Sequence, residues 1–307
     1  MVKREFEADI PQRLDQALAQ RWPHLDRWTI HEAVRNGAVT VNGRRATSGG
    51  QRLDAGDRVR ADLPEAPATP DLHPALLPPR ILYCDEAVLV VDKPAGVPLF
   101  PSPEEVRESL ADILIADDPA IANVGGAGRA GIVTAMEDGV SGLILAGRDE
   151  AAYRRLKRAL GKRQIERRYT ALVEGVLKGE GTIDLPIGRQ RHERGRQRVS
   201  RTGRAAITRY RVLTGYRLQG RSYTLVELQP ESGRRHQLRI HLAWYGTPIV
   251  GDRVYGSRRQ EWLDDRLFLH LSALTFRHPQ SGDRLTFRSP LPEALDSLLR
   301  YLRHPRR

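Results

Sequence analysis

Residues 131–148 read GIVTAMEDGVSGLILAGR. Two apolar runs, Ile132-Val133 and Leu143-Ile144-Leu145-Ala146, flank Glu137-Asp138-Gly139, residue types that favour a tight reversal of the backbone. The pattern predicts a strand, a turn and a buried strand. The chain is otherwise strongly basic, yet here it sets two adjacent carboxylates on a turn whose flanks must be buried. Taken alone, the stretch describes a hairpin whose acidic tip faces water. Whether the tip faces a pocket instead depends on what the neighbouring segments bring to it.

On the C-terminal side, residues 150–161 have the spacing of a basic amphipathic helix with Tyr153, Leu156 and Leu160 on its buried side. A strand follows over 168–175, where alternation places Tyr169, Ala171 and Val173 on one face. Residues 188–204, GRQRHERGRQRVSRTGR, are dense in arginine and poor in apolar side chains; they predict an exposed, mobile loop able to contact RNA, with Arg189 and Arg191 among its cations. Strands are predicted over 207–212 and 223–229. After the Gly233 turn a helix is expected with Leu238, Leu242 and Tyr245 inward and with Arg235 and Arg239 sharing another face. Two arginines cannot both be buried without anions, so that face, beside Arg234, meets either solvent or a site of carboxylate and phosphate. His236 and His241 read as hydrogen-bonded structural residues. A strand over 284–288 and a helix over 294–302 close the chain.

On the N-terminal side, 81–83 and 87–91 predict paired strands, with Cys84 as a small buried packing residue and Lys93-Pro94-Ala95-Gly96 as a rigid turn. Lys93 either pairs within the scaffold or meets phosphate. A helical pattern covers 104–116. The glycine run NVGGAGRAG is no phosphate loop, because it lacks the Gly-Lys-Ser/Thr ending and no helix follows it. LPEAPATPDLHPALLPPR, residues 63–80, carries too many prolines for a helix or a central strand and predicts a semi-rigid spacer. This divides the chain into a unit at 1–63, a linker at 64–80 and a unit at 81–307.

The first unit predicts a short helix around Leu14 and Leu18 and a second helix capped by Asp26 and ended by Gly37. A hairpin turning at Asn42-Gly43 and a return strand through Val59 complete it. Arg27, Arg35, Arg44 and Arg45 cluster near the helix ends and the turn, where they can grip a phosphate backbone.

Composition narrows the classes. The 307 residues carry 50 Lys+Arg against 38 Asp+Glu, a net charge of +12, which makes polyanions the first partners to consider. With 40% hydrophobic residues a full core is available. No apolar run approaches the roughly 20 residues that span a bilayer, and the start, MVKREFEADIPQ, has no signal-peptide core. One cysteine excludes internal disulfides and suits a reducing cytoplasm; nine scattered histidines without ligand spacing argue against zinc.

The N-terminal unit resembles the small RNA-binding module first known from a ribosomal small-subunit protein, through Arg13-Leu14-Asp15 and Gly37 to Gly43. The remainder resembles pseudouridine synthases of the RluA type. The segments that carry the likeness are Lys93 to Gly96, Arg168 to Val173, Gly179 to Gly188, Ser232 to His241, Pro248 to Asp252 with Tyr255-Gly256, and Leu269-His270. The resemblance implies an α+β fold with a mixed, mainly antiparallel central sheet, flanking helices and an RNA cleft. The implied activity is isomerisation of particular uridines in structured ribosomal or transfer RNA, without cofactor or metal; nothing in the sequence demands more than a monomer.

It also implies roles. The family's central motif, His-Arg-Leu-Asp, two variable residues, then Thr-Ser-Gly-Leu, falls on Thr134 to Leu143, so its catalytic aspartate falls on Glu137, its arginine on Ala135 and its histidine on Thr134. Tyr169 matches the tyrosine that stacks on the base, and Arg239 the arginine that pairs with the catalytic carboxylate. The changes at 134, 135 and 137 leave a second reading open, a catalytically silent RNA-binding relative.

Overall fold

The computed structural model describes residues 2–22, 30, 33–63, 79–101, 108–190, 196–256, 263 and 266–303. The chain divides into two compact units, 1–72 and 73–307. The spacer at 64–78, the Asp26 cap, Arg27 and Arg191 lie outside the described residues.

The first unit holds strands β1 (Val2–Glu7), β2 (Gln12–Arg13), β3 (Val39–Val41), β4 (Arg44–Arg45), β5 (Arg52–Leu53) and β6 (Arg58–Leu63), with helix α1 (Leu14–Arg21). Its main sheet runs β1-β6-β3-β4, and β2 pairs β5. The β3–β4 turn uses left-handed backbone at Asn42 (φ 51°) and Gly43 (φ 74°), the conformation that matches the twist of a two-residue hairpin. Leu14, Leu18, Ile30, Val39, Leu53 and Val59 fill the core. β1 had no strong signal, since charged residues surround Phe6, its one aromatic, which packs 5.9 Å from Trp22.

The second unit is a mixed α+β structure. Its strands are β7 (Arg80–Cys84), β8 (Val88–Lys93), β9 (Ser141–Gly147), β10 (Glu166–Glu174), β11 (Glu180–Asp184), β12 (Ile187–Arg189), β13 (Gln197–Val199), β14 (Ile207–Leu218), β15 (Arg221–Pro230), β16 (Leu269–Arg277) and β17 (Arg284–Arg288). The helices are α2 (Leu110–Asp117), α3 (Glu150–Gly161), α4 (Gln237–Trp244) and α5 (Glu293–Arg303). Among the described residues the large sheet has nine strands, ordered β11-β14-β15-β10-β16-β9-β8-β7 with β17 on β16. Its pairs are antiparallel except β9 with β16.

The central stretch follows the predicted plan with a shorter first arm. Ile132 makes only a bridge to Ala146, while Val133 N–H donates to the Leu145 carbonyl at 2.8 Å. β9 is buried along its whole length, as the continuous apolar run requires. Gly142 (φ 116°) sits at its start because a Cβ there would lie 2.4 Å from the Leu271 carbonyl oxygen; glycine lets β9 close on β16. Asp149 caps α3 by accepting from Ala152 N–H at 2.8 Å.

Four expectations are corrected. Cys84 is exposed, because β7 is the edge strand. Tyr245 is 47% exposed, since α4 ends at Trp244 and Tyr245 follows it outside the inward row of Leu238 and Leu242. The described residues of the arginine-rich 188–204 segment are not all loop: β12 pairs with β13, Ile187 packs with Ala206 and Ile240, and Val199 joins that cluster. The helix expected over 104–116 begins at Leu110, where a Ser109–Asp112 capping box starts it; residues 102–107 lie outside the described ones.

Candidate active site

The turn ahead of β9 is fastened from two sides. Leu267 N–H donates to the Gly139 carbonyl at 3.0 Å, and Gly96 N–H to the Asp138 carbonyl at 2.7 Å. The Lys93 ammonium reaches that same Asp138 carbonyl at 3.3 Å and also the carbonyls of Pro94 and Val97 at 2.9 and 2.8 Å. Asp138 therefore uses its backbone to hold the turn, and Glu137 beside it faces a cleft of about 1170 Å³.

Arg239, on α4 and 7% exposed, reaches Glu137 through Nη1. Its other edge is gripped by Asp252, which is fully buried: Nε to Oδ2 at 2.8 Å and Nη2 to Oδ1 at 2.7 Å. Asp252 is fixed in turn, because its Oδ1 accepts from the backbone N–H groups of Val254 and Tyr255 at 3.0 and 2.9 Å. Such a two-point clamp fixes the guanidinium plane and leaves one donor for a carboxylate in the cleft. Burial alone would raise the Asp252 pKa; the bonds and charge of Arg239 with the two backbone donors bring it below the usual carboxylate value. Glu137 goes the other way. Burial pushes its pKa above the ordinary value and outweighs the pull of Arg239.

Tyr169 lines the same cleft from β10 and is 7% exposed, with its phenol pKa raised by burial. Opposite Glu137 stands His236, a non-glycine residue in left-handed backbone (φ 57°), a conformation held only where surrounding contacts demand it. Its Nδ1 lies 2.9 Å from the Tyr255 hydroxyl and its Nε2 3.5 Å from Glu137 Oε2. Burial, with Arg239 and Arg235 adding to it, lowers its pKa to about 4, so it is neutral at physiological pH. His241 is the structural histidine expected, bonded to Thr208 and the Leu185 carbonyl at 2.9 and 3.0 Å.

The other nominated residues divide. Arg234 and Arg235 line the cleft, Arg235 exposed and Arg234 half-buried. Arg35 and Arg189 are exposed, outside the cleft. Lys93 is a correction: it is fully buried, and its ammonium is spent on three carbonyls, so it has no surface to offer a phosphate. Thr134 is buried and accepts from Leu145 N–H at 3.1 Å, while Ala135 is exposed on the cleft wall. Sequence reading missed two participants. Asp252 stood in a quoted motif without a role; an acid directly after glycine in so basic a chain was the available signal. Arg266, 6% exposed and also lining the cleft, gave none, because an arginine ahead of an apolar strand reads as a surface residue. Among the described residues no cluster of His, Cys, Asp and Glu could hold a metal ion.

Comparison with known proteins bears on this arrangement. Residues 87–244 match the RNA pseudouridylate synthase family and residues 12–59 the S4 domain. An RNA pseudouridine synthase of Bacillus subtilis is 34% identical over 293 residues, covering 95% of this chain and 94% of that protein. The ribosomal large subunit pseudouridine synthase D of Vibrio cholerae is 32% identical over 311 residues, covering 97% of this chain and 93% of that protein. Among solved structures, human RNA pseudouridylate synthase domain containing 4 superposes with a TM-score of 0.56 at 25% identity, covering 73% of this chain and 92% of that one.

Proposed function

This chain belongs to the RluA-type RNA pseudouridylate synthase family, with an S4 domain ahead of the synthase fold, and from that premise we propose that it isomerises particular uridines in ribosomal RNA. Residues 1–63 act as the RNA-gripping unit, 64–80 as the spacer and 81–307 as the synthase. The observation that carries the reading is the Glu137–Arg239–Asp252 chain, a carboxylate in a basic cleft beside a buried tyrosine.

A uridine inside folded RNA must leave its stack before its glycosidic bond can be reached. Tyr169 offers the extruded base a flat wall, and Arg163, Arg167, Arg234, Arg235 and Arg253 line the cleft where the backbone phosphates of the strand would pass. Glu137 then works on the sugar, either attacking C1′ or removing the 2′ proton. The N1–C1′ bond breaks, the base turns in place, and C1′ joins carbon 5. The hydrogen of carbon 5 passes to water and N1 ends protonated, so atoms balance without an outside reagent.

The second reading, RNA binding without turnover, draws on Ala135, which leaves its part of the wall uncharged. Against it stands Lys157, whose ammonium donates to the Val133 carbonyl at 3.3 Å and brings a cation to the same cleft. Ribosomal RNA labelled with [5-³H]uridine, from a strain lacking the gene, separates the two. Release of label that E137Q reduces by roughly 10²- to 10⁴-fold, the range for a lost acid–base group, supports the synthase. RNA bound without release of label supports the silent relative.

A further inference from the structure

Of the guanidiniums lining the cleft, Arg239 is buried but bonded to two carboxylates, Arg163, Arg235 and Arg253 are exposed, and Arg167 and Arg234 are half-buried and donate to the Ser232 and Ala205 carbonyls. Arg266 is different. It is 6% exposed, and among the described residues no carboxylate pairs with it. Its Nε has no hydrogen-bond partner, and its one hydrogen bond runs from Nη2 to the Ser141 hydroxyl at 3.2 Å. That hydroxyl has already been oriented. His270 Nε2 faces the Ser289 carbonyl at 3.1 Å and must donate to it, so His270 Nδ1 accepts from Ser141 at 3.0 Å, leaving the serine lone pairs to Arg266. Lys93 is also buried, and wherever it is protonated the two charges repel. Burying a charge unpaired is costly, and an acceptor in the cleft would offset that cost.

The backbone fixes where that ligand sits. Leu267, the next residue, donates to the Gly139 carbonyl of the Glu137 turn at 3.0 Å. The Arg266 carbonyl packs against Gly251, where a Cβ would lie 2.2 Å away, one residue before Asp252. Arg266 is thus tied on one side to the turn that carries Glu137 and on the other to the clamp of Arg239. Val140, Tyr169, Leu267 and Leu269 line the cleft with it, an apolar floor better suited to a base than to a hydrated phosphate.

We propose that Arg266 hydrogen-bonds a carbonyl oxygen of the target uracil and bears the negative charge that the base acquires as it detaches. The proposal rests on the synthase reading above. When the N1–C1′ bond breaks its electron pair leaves with the base, and the charge spreads over N1, O2 and O4 until carbon 5 is joined to C1′. Before cleavage the base is neutral, so the contact strengthens only as the bond gives way, and it lowers the barrier rather than merely tightening binding. Burial pulls the guanidinium down to about 10, which leaves it protonated at neutral pH.

The test compares two forms of the same ribosomal RNA, one with [5-³H]uridine and one with 5-fluorouridine, in the first turnover of the full chain. Fluorine makes the departing base a weaker base that needs less help. R266Q is expected to slow uridine by roughly 10²- to 10³-fold, as for a lost oxyanion donor, and fluorouridine by less than tenfold. The affinity for RNA and its salt dependence stay as in wild type. An equal slowing of both substrates overturns the proposal, as does weaker binding with a shallower salt slope and an intact rate, the signature of a phosphate contact. If R266Q does not fold, R266K, which keeps the charge but loses the fork, is expected to show a smaller gap between the substrates; no gap overturns the proposal. An inactive wild type overturns the synthase reading itself, whereas an active wild type with an unimpaired R266Q overturns this inference alone.

Discussion

Glutamate is one methylene longer than the aspartate expected at 137, and the contacts around it show how that length is used. Arg239 is locked by Asp252 on two of its nitrogens and meets Glu137 with the third. A carboxylate one methylene shorter would fall about 1 Å short of it, a misplacement that can cost roughly a hundredfold in rate. Asp252 touches no reacting atom in this account and acts by positioning Arg239. D252N keeps the shape but loses one charge and one acceptor, so kcat is expected to fall at least tenfold while KM for RNA stays within about twofold. D252E, which restores the charge, should recover part of the loss. A rise in KM with kcat unchanged would assign Asp252 to RNA binding instead. That Glu137, Tyr169 and Arg239 meet at one cleft was legible because each stands at a fixed place in an ordered series of motifs. Asp252 and Arg266 were not, because what marks them is burial and the presence or absence of a partner, which spacing does not encode.

Elements whose burial is set by their own periodicity were read closely, as α3 shows: Glu150–Gly161 was expected and found, with Leu156 inward. Elements whose burial depends on distant partners were not. β1 gains its place only by pairing with β6, and the β12–β13 hairpin only by resting Ile187 and Val199 against Ile240. The β8 end illustrates the same dependence at Lys93, where burial lowers the pKa from 10.5 to about 7. Between those values the unfolded chain holds the proton and the folded chain does not, so stability rises with pH across that window; below about 7 the full cost of burying the charge is present. Urea midpoints measured from pH 7 to 10 should therefore climb more steeply in wild type than in K93M. Equal slopes would show that Lys93 titrates elsewhere. Above about pH 10.5, where the amine is neutral folded or unfolded, K93M is also expected to be less stable, because the Pro94, Val97 and Asp138 carbonyls lose their donor.

At the scale of the whole molecule, a net charge of +12 is distributed over two compact units, to which the proposed function gives different tasks. Arg35 and Arg44 in the first unit are exposed; if they meet RNA phosphates, as proposed for this unit, their contribution is to affinity and salt dependence rather than to chemistry. Replacing both by glutamine is expected to weaken RNA binding and flatten the slope of log K against log salt by roughly 0.7 to 0.9 per contact. An unchanged slope would remove them from the RNA path. Among the described residues no helix is long and apolar enough to cross a membrane. The proposed chemistry is assigned to one cleft in the second unit, and the account stands on Glu137 being its working carboxylate. The most direct test is label release from [5-³H]uridine ribosomal RNA in the first turnover by wild type and by E137D. Wild type is expected to release label roughly a hundredfold faster, because the clamp on Arg239 is set for glutamate; an E137D variant that matches or exceeds wild type would contradict it.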